Sequence, residues 1–185
     1  RLRLVSAEDL DRAFRHAKRF SGEEPRFDCV WVDALAHQGT ITPYQAIELH
    51  AGRGSQLAMG PYVLQRPCSG SSYANMFEGK HLESGNECCL LVTRIPDGKA
   101  PIYQTYFDAL VKNSATLANS SIRAVRDYSL EGDRLVAACD APSGTNAAAW
   151  MAANGRFPPQ VVLAIARQLA TNLAYLEQFG LLHGD

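Results

Sequence analysis

The stretch Gly60–Ile95, GPYVLQRPCSGSSYANMFEGKHLESGNECCLLVTRI, decides the fold. Two short apolar runs, Tyr62-Val63-Leu64 and Met76-Phe77, flank the turn-type cluster PCSGSSYAN and read as a hairpin. Gly85-Asn86 turns the chain into Glu87–Ile95, ECCLLVTRI, which reads as a buried strand. From Pro101 the period becomes helical, with Tyr103, Phe107, Leu110, Ser114 and Leu117 on one face. Ile122–Leu130 and Arg134–Cys139 read as two further strands joined by the loop Glu131-Gly132-Asp133. Residues 147–154 are Ala-rich and helical. Pro158-Pro159 then opens a long helix whose apolar stripe is Val162, Ile165, Ala166, Leu169, Leu173 and Leu176, closed by Gly180. The predicted order is β-β-β-α-β-β-α-α, a mixed α+β class.

Upstream, the pattern is helical throughout. Ser6-Ala7-Glu8-Asp9 has capping-box form, and Leu10, Ala13, Phe14 and Ala17 share a face. Phe27, Val30, Trp31, Ala34 and Leu35 form a second stripe, with Gly39 as its C′ residue. Thr42-Pro43-Tyr44-Gln45 starts a third helix: Thr42 caps, Pro43 sits at N1 and Gln45 reaches back. Gly52 and Gly54 end it. Residues 1–57 are thus expected to form a helical module, and residues 60–185 a second domain. Docking and simple packing are equally open roles for the module.

The chain has 185 residues, 46% of them apolar and 20% charged, and a net charge of -1. A phosphate-neutralising nucleic-acid binder would be more basic, so no nucleic-acid partner is expected. No apolar run of membrane-spanning length occurs, and the opening RLRLVSAEDL has no signal-peptide core. Cys29, Cys68, Cys88, Cys89 and Cys139 are odd in number and lack a C-x-x-C pair. A disulfide framework and a zinc site are therefore not expected, and a cytoplasmic location is. The five histidines, at 16, 37, 50, 81 and 183, are scattered singly. The first residue is not Met and both ends look internal, so a longer native chain is expected.

Several strings in this order resemble the N-terminal lobe of serine/threonine protein kinases, up to the H-R-D catalytic loop. Residues 60–81, GPYVLQRPCSGSSYANMFEGKH, look like the first hairpin with its Gly-rich loop. Residues 134–144, RLVAACDAPSG, look like the last N-lobe strand and hinge, and residues 166–185, ARQLATNLAYLEQFGLLHGD, like the long helix and H-R-D loop. Residues 39–64 are similar to a lead-in of planctomycete-type bacterial kinases. The resemblance implies a five-stranded antiparallel sheet with an αC-type helix, followed by the start of a helical C-lobe that is truncated at the catalytic loop.

It also implies a degenerate nucleotide site. Ser69, Ser71 and Ala74 fall on the glycines of G-x-G-x-x-G, with Gly70 one residue off register. Cys88-Cys89-Leu90-Leu91 falls on V-A-x-K, so Leu91 replaces the phosphate-gripping Lys and Cys89 the small Ala beside the adenine. The partner Glu falls on Leu110; Asp108 is near but faces elsewhere, and Arg94 lies on the opposite strand face. Leu91 and Leu110 are expected to be buried and close. Asp185 of His183-Gly184-Asp185 matches the catalytic Asp, with Gly184 in place of the Arg. No metal ligand is identified.

The resemblance thus points to a pseudokinase working through protein partners, a second copy of the chain being one option, with no cofactor. An active serine/threonine kinase using ATP and Mg is the alternative. A small-molecule phosphotransferase, suggested by H-G-D, is a third. The apolar stripe of the long helix needs a cover, expected from a native chain that continues beyond Asp185, or else from the first helical module or a partner chain.

Overall fold

In the computed structural model, residues 4–21, 28–68, 75–115, 119, 121–141 and 144–181 are described. Ser6 and Asp9 cap each other: the Ser6 N–H donates to Asp9 Oδ2 at 3.0 Å, and the Asp9 N–H to Ser6 Oγ at 3.1 Å. Helices α1 (Ala7–Ser21), α2 (Asp28–His37) and α3 (Pro43–His50) follow. Their shared core is Ala13, Ala17, Ala34, Leu35, Ile41 and Ala46, and Phe14 stacks on Trp31 at 5.7 Å. His16 and His37, isolated in sequence, come together across α1 and α2 as stacked rings 4.9 Å apart. Gly39 ends α2 at φ 70°, a left-handed conformation that glycine adopts without strain.

The strands are β1 (Ala58–Met59), β2 (Tyr62–Cys68), β3 (Asn75–His81), β4 (Glu87–Arg94), β5 (Val125–Glu131) and β6 (Arg134–Asp140). They form one antiparallel sheet in the order β1-β2-β3-β4-β6-β5. The five-strand expectation is therefore short by one. Gly60 (φ 55°) and Pro61 fold Ala58-Met59 back onto Val63 and Tyr62, a pairing too brief to leave an alternating pattern in the sequence. The strand expected from Ile122 instead begins at Val125. Asn119 Oδ1 accepts from the Ser121 N–H, and the Ile122 N–H donates to the Asn119 carbonyl, so these residues form a turn.

The sheet curls until its two edges meet. Tyr62 Oη on β2 donates to Asp127 Oδ2 on β5 at 2.7 Å, and the Gly60 N–H donates to Glu131 Oε1 at 2.8 Å. Two irregularities permit the bend: the register shifts at Gln65 in β2 and at Arg126 in β5. Inside the curl lies a dry core of Met59, Tyr62, Leu64, Leu90, Val92, Val136 and Ala138. Gly79 makes the β3–β4 crossing possible: a Cβ there would sit 2.2 Å from Leu90 Cδ1.

The bulge at Gln65 also fastens α3 to the sheet. Thr42 Oγ1 donates to the Gln65 carbonyl while accepting from the Gln45 N–H. Gln45, 5% exposed, accepts from the Thr42 N–H through Oε1 and donates through Nε2 to the Leu64 carbonyl at 2.8 Å. The predicted capping box therefore also satisfies β2 carbonyls beside the irregularity. Tyr44 completes the contact against Phe77, ring centres 5.8 Å apart.

On the outer face, Ile95, Leu135 and Ala137 form a second core with Leu91, and α4 (Ala100–Ser114) packs there through Tyr103 and Phe107. Helices α5 (Ala147–Asn154) and α6 (Pro159–Glu177) follow. The expectation that α1–α3 cover the α6 stripe fails: Val162, Ile165, Leu169 and Leu173 are 39–57% exposed. The first helices already bury their apolar residues against one another and against β2. Helix α6 is instead tethered by Gln168 Nε2 to Ser121 Oγ (2.9 Å) and Asn119 Nδ2 to Asn172 Oδ1 (3.1 Å).

Gln45→Glu keeps the capping acceptor but sets an oxygen against the buried Leu64 carbonyl. It should cost about 1–3 kcal/mol in urea unfolding. Tyr62→Phe, which leaves Asp127 accessible to water, should cost only about 1 kcal/mol. The reverse ranking would contradict the clamp.

Candidate functional site

Alternation along β4 sorts its side chains between the two faces. Leu90 and Val92 enter the curl, whereas Leu91 turns to the outer face beside α4. Leu110 comes to the same place from α4. Both are half-buried, and they line one cavity of about 360 Å³ with Met76, Tyr106, Ser114, Ile122, Arg123, Ala124, Val125, Cys139, Leu176 and Leu181. The structure thus brings the two positions expected to be coupled onto one wall. Neither is fully buried, because the cavity stands between the helix and the sheet.

Asp108 belongs to a different part of α4. Its Oδ1 accepts from Tyr128 Oη at 2.6 Å, and this hydrogen bond pushes the Tyr128 phenol up to about 12. Arg94 is exposed and pairs with Asp133 at 2.8 Å. Neither side chain takes over from the replaced Lys and Glu. Ser69, Ser71, Ala74 and Asp185 lie outside the described residues.

Cys89 lies on the cavity side of β4 but is only 1% exposed. It pairs in register with Cys139 of β6. Arg123 Nη1 donates to Cys89 Sγ at 3.6 Å. Burial pushes the Cys139 thiol up to about 12, and that of Cys88, on the other face, to about 11. The sequence reading missed Arg123, Met76 and Cys139 as lining residues. Arg123 was absorbed into a predicted strand, and only the turn at Asn119 reveals that it precedes one. Among the described residues no group of three His, Cys, Asp or Glu could hold a metal ion, and no helix is long and apolar enough to cross a membrane.

Leu91 and Leu110 offer no hydrogen bond or charge to a phosphate; among the described lining residues Arg123 is the one charged side chain and none is a carboxylate.

The thiols make stability pH-dependent. A thiol whose folded pKa is raised keeps its proton in the native state after the unfolded chain has lost it, so stability is full below about 9 and declines as pH rises toward 12. Melting temperature should fall across that window, and Cys139→Ala should flatten part of the fall. Leu91→Lys should destabilise by about 2 kcal/mol, since it sets a cation against an apolar wall. Adding Leu110→Glu should recover at least about 0.5 kcal/mol in a double-mutant cycle. Strict additivity would place the two side chains out of reach of each other.

No protein-family model matches the chain, and no curated protein matches it. Solved structures do. The Mycobacterium tuberculosis PknI kinase domain is 25% identical with a TM-score of 0.55, over 69% of this chain and 52% of that one. A point variant of the same domain is 26% identical with the same TM-score, over 69% and 53%. The chain spans about half the length of these kinase domains. With its antiparallel sheet and the α4 helix packed on it, this chain has a protein-kinase-like fold.

Proposed function

We propose that this chain is part of a pseudokinase: a bacterial, cytoplasmic signalling domain that acts by binding other proteins rather than by transferring phosphate. One observation carries the reading. Leu91 and Leu110, which the kinase resemblance aligns with the Lys–Glu ion pair, line one apolar cavity. Losing one member of such a pair leaves an uncompensated charge and typically costs about 3–5 kcal/mol, whereas replacing both with apolar residues is often neutral or stabilising. A double replacement keeps the lobe folded after phosphate binding is given up. The substitutions Ser69, Ser71 and Ala74 at the glycine positions point the same way, because side chains there obstruct the approach of backbone N–H groups to phosphate.

A thermal-shift titration tests this. Millimolar Mg-ATP should leave the melting temperature unmoved. A ligand at a hundredfold excess over its Kd would stabilise by about 2.7 kcal/mol. A rise of several degrees at micromolar Mg-ATP would therefore overturn the proposal.

A further inference from the structure

Among the described residues that line the cavity between α4 and the sheet, one is a cation, Arg123, and no described carboxylate pairs with it. Its walls are apolar: Met76, Leu91, Leu110, Val125, Leu176 and Leu181. Arg123 lines it too, and its Nη1 reaches the sulfur of fully buried Cys89, which draws the guanidinium over the sheet face. A guanidinium carries five N–H donors, and a thiol is a weak acceptor. Among the described residues Cys89 Sγ is the sole hydrogen-bond partner of Arg123, and no carboxylate lies in ion-pair range of it. Arg123 is exposed, so its remaining N–H donors are open to a ligand or to water.

We propose that this cavity binds a small apolar molecule ending in a single carboxylate, of the medium-chain fatty-acid class. The carboxylate would take the free N–H donors of Arg123, whose planar fork matches two carboxylate oxygens. The chain would enter between Leu91, Leu110 and Leu176. A volume of about 360 Å³ lies at the small end of ligand pockets, which suits one short chain. The requirement for a single charge follows from the wall: a second charged group would rest against leucine with no partner. This inference goes beyond the pseudokinase reading and stands on Arg123, so an ATP titration does not decide it.

The test uses octanoate and octan-1-ol, equal in chain length and different in charge, in calorimetric titrations of the intact chain. Octanoate should bind saturably with one site, at least tenfold more tightly than octanol. Arg123→Gln should weaken octanoate at least tenfold and erase its advantage over the alcohol. Leu110→Phe should weaken both ligands by filling the cavity, with an unchanged far-ultraviolet circular dichroism spectrum as the check on folding. Equal affinity for acid and alcohol in the native chain would overturn the proposal. So would octanoate binding that survives Arg123→Gln but is lost on Leu169→Gln, because that places the ligand on the exposed face of α6.

Discussion

The closure of the sheet on itself is the constraint from which the other features follow. A six-stranded sheet with an apolar inner face must curl or be covered. Here it curls, and Tyr62, 3% exposed, holds the two edges through Asp127. Burial first, and then this hydrogen bond, push the Tyr62 phenol upward, so the donor keeps its proton across the physiological range. Curling costs regular pairing at Gln65 and Arg126. The first cost is offset by Thr42 and Gln45, which donate to the neighbouring carbonyls and so fix α3 against β2. The outer face remains for α4, and the imperfect fit between that helix and the sheet is the cavity.

Periodicity made most of this legible. The continuous apolar run in Glu87–Ile95 marks β4, the i, i+4 spacing of Tyr103 and Phe107 marks α4, and Thr42-Pro43-x-Gln45 marks the start of α3 to the residue. Other features were not readable for definite reasons. A two-residue strand such as Ala58-Met59 has no period. The turn at Asn119–Ile122 leaves the residue types of an apolar run unchanged, so Arg123 reads as an outward strand residue although it lies over β4. The stacking of His16 on His37 depends on how α1 crosses α2, which no local pattern encodes. The α6 stripe is apolar as expected, and α1–α3, one of the covers expected for it, already use their own apolar faces against one another.

The site divides in the same way. The match of Leu91 and Leu110 to a charged pair is what the kinase resemblance implies, and strand and helix phase put both side chains toward the gap. Whether the gap is filled depends on side-chain volumes contributed by four strands, two helices and the segment around Ile122, and a sequence does not sum these. Cys89 illustrates the difference. The kinase resemblance sets it at the Ala beside an adenine, and the structure adds that it is buried, in register with Cys139 and within hydrogen-bond reach of Arg123.

The clamp on β2 bears on the functional reading. A kinase hairpin that closes over a nucleotide must move relative to the rest of its lobe. Here β2 is held at its bulge by two side chains of α3, one of them fully engaged and buried, and β3 is held by Tyr44 against Phe77. Moving the hairpin as a unit would break the buried Gln45–Leu64 hydrogen bond and leave both groups without a partner, at a cost of about 1–3 kcal/mol for each. An enzyme that cycles nucleotide would meet that cost at every turnover. A domain that holds its lobe as a fixed surface for other proteins never meets it, and its helices can tie the hairpin down for stability alone. The α3 clamp and the apolar pair at Leu91 and Leu110 both fit the pseudokinase proposal, in which the hairpin has no nucleotide to close upon.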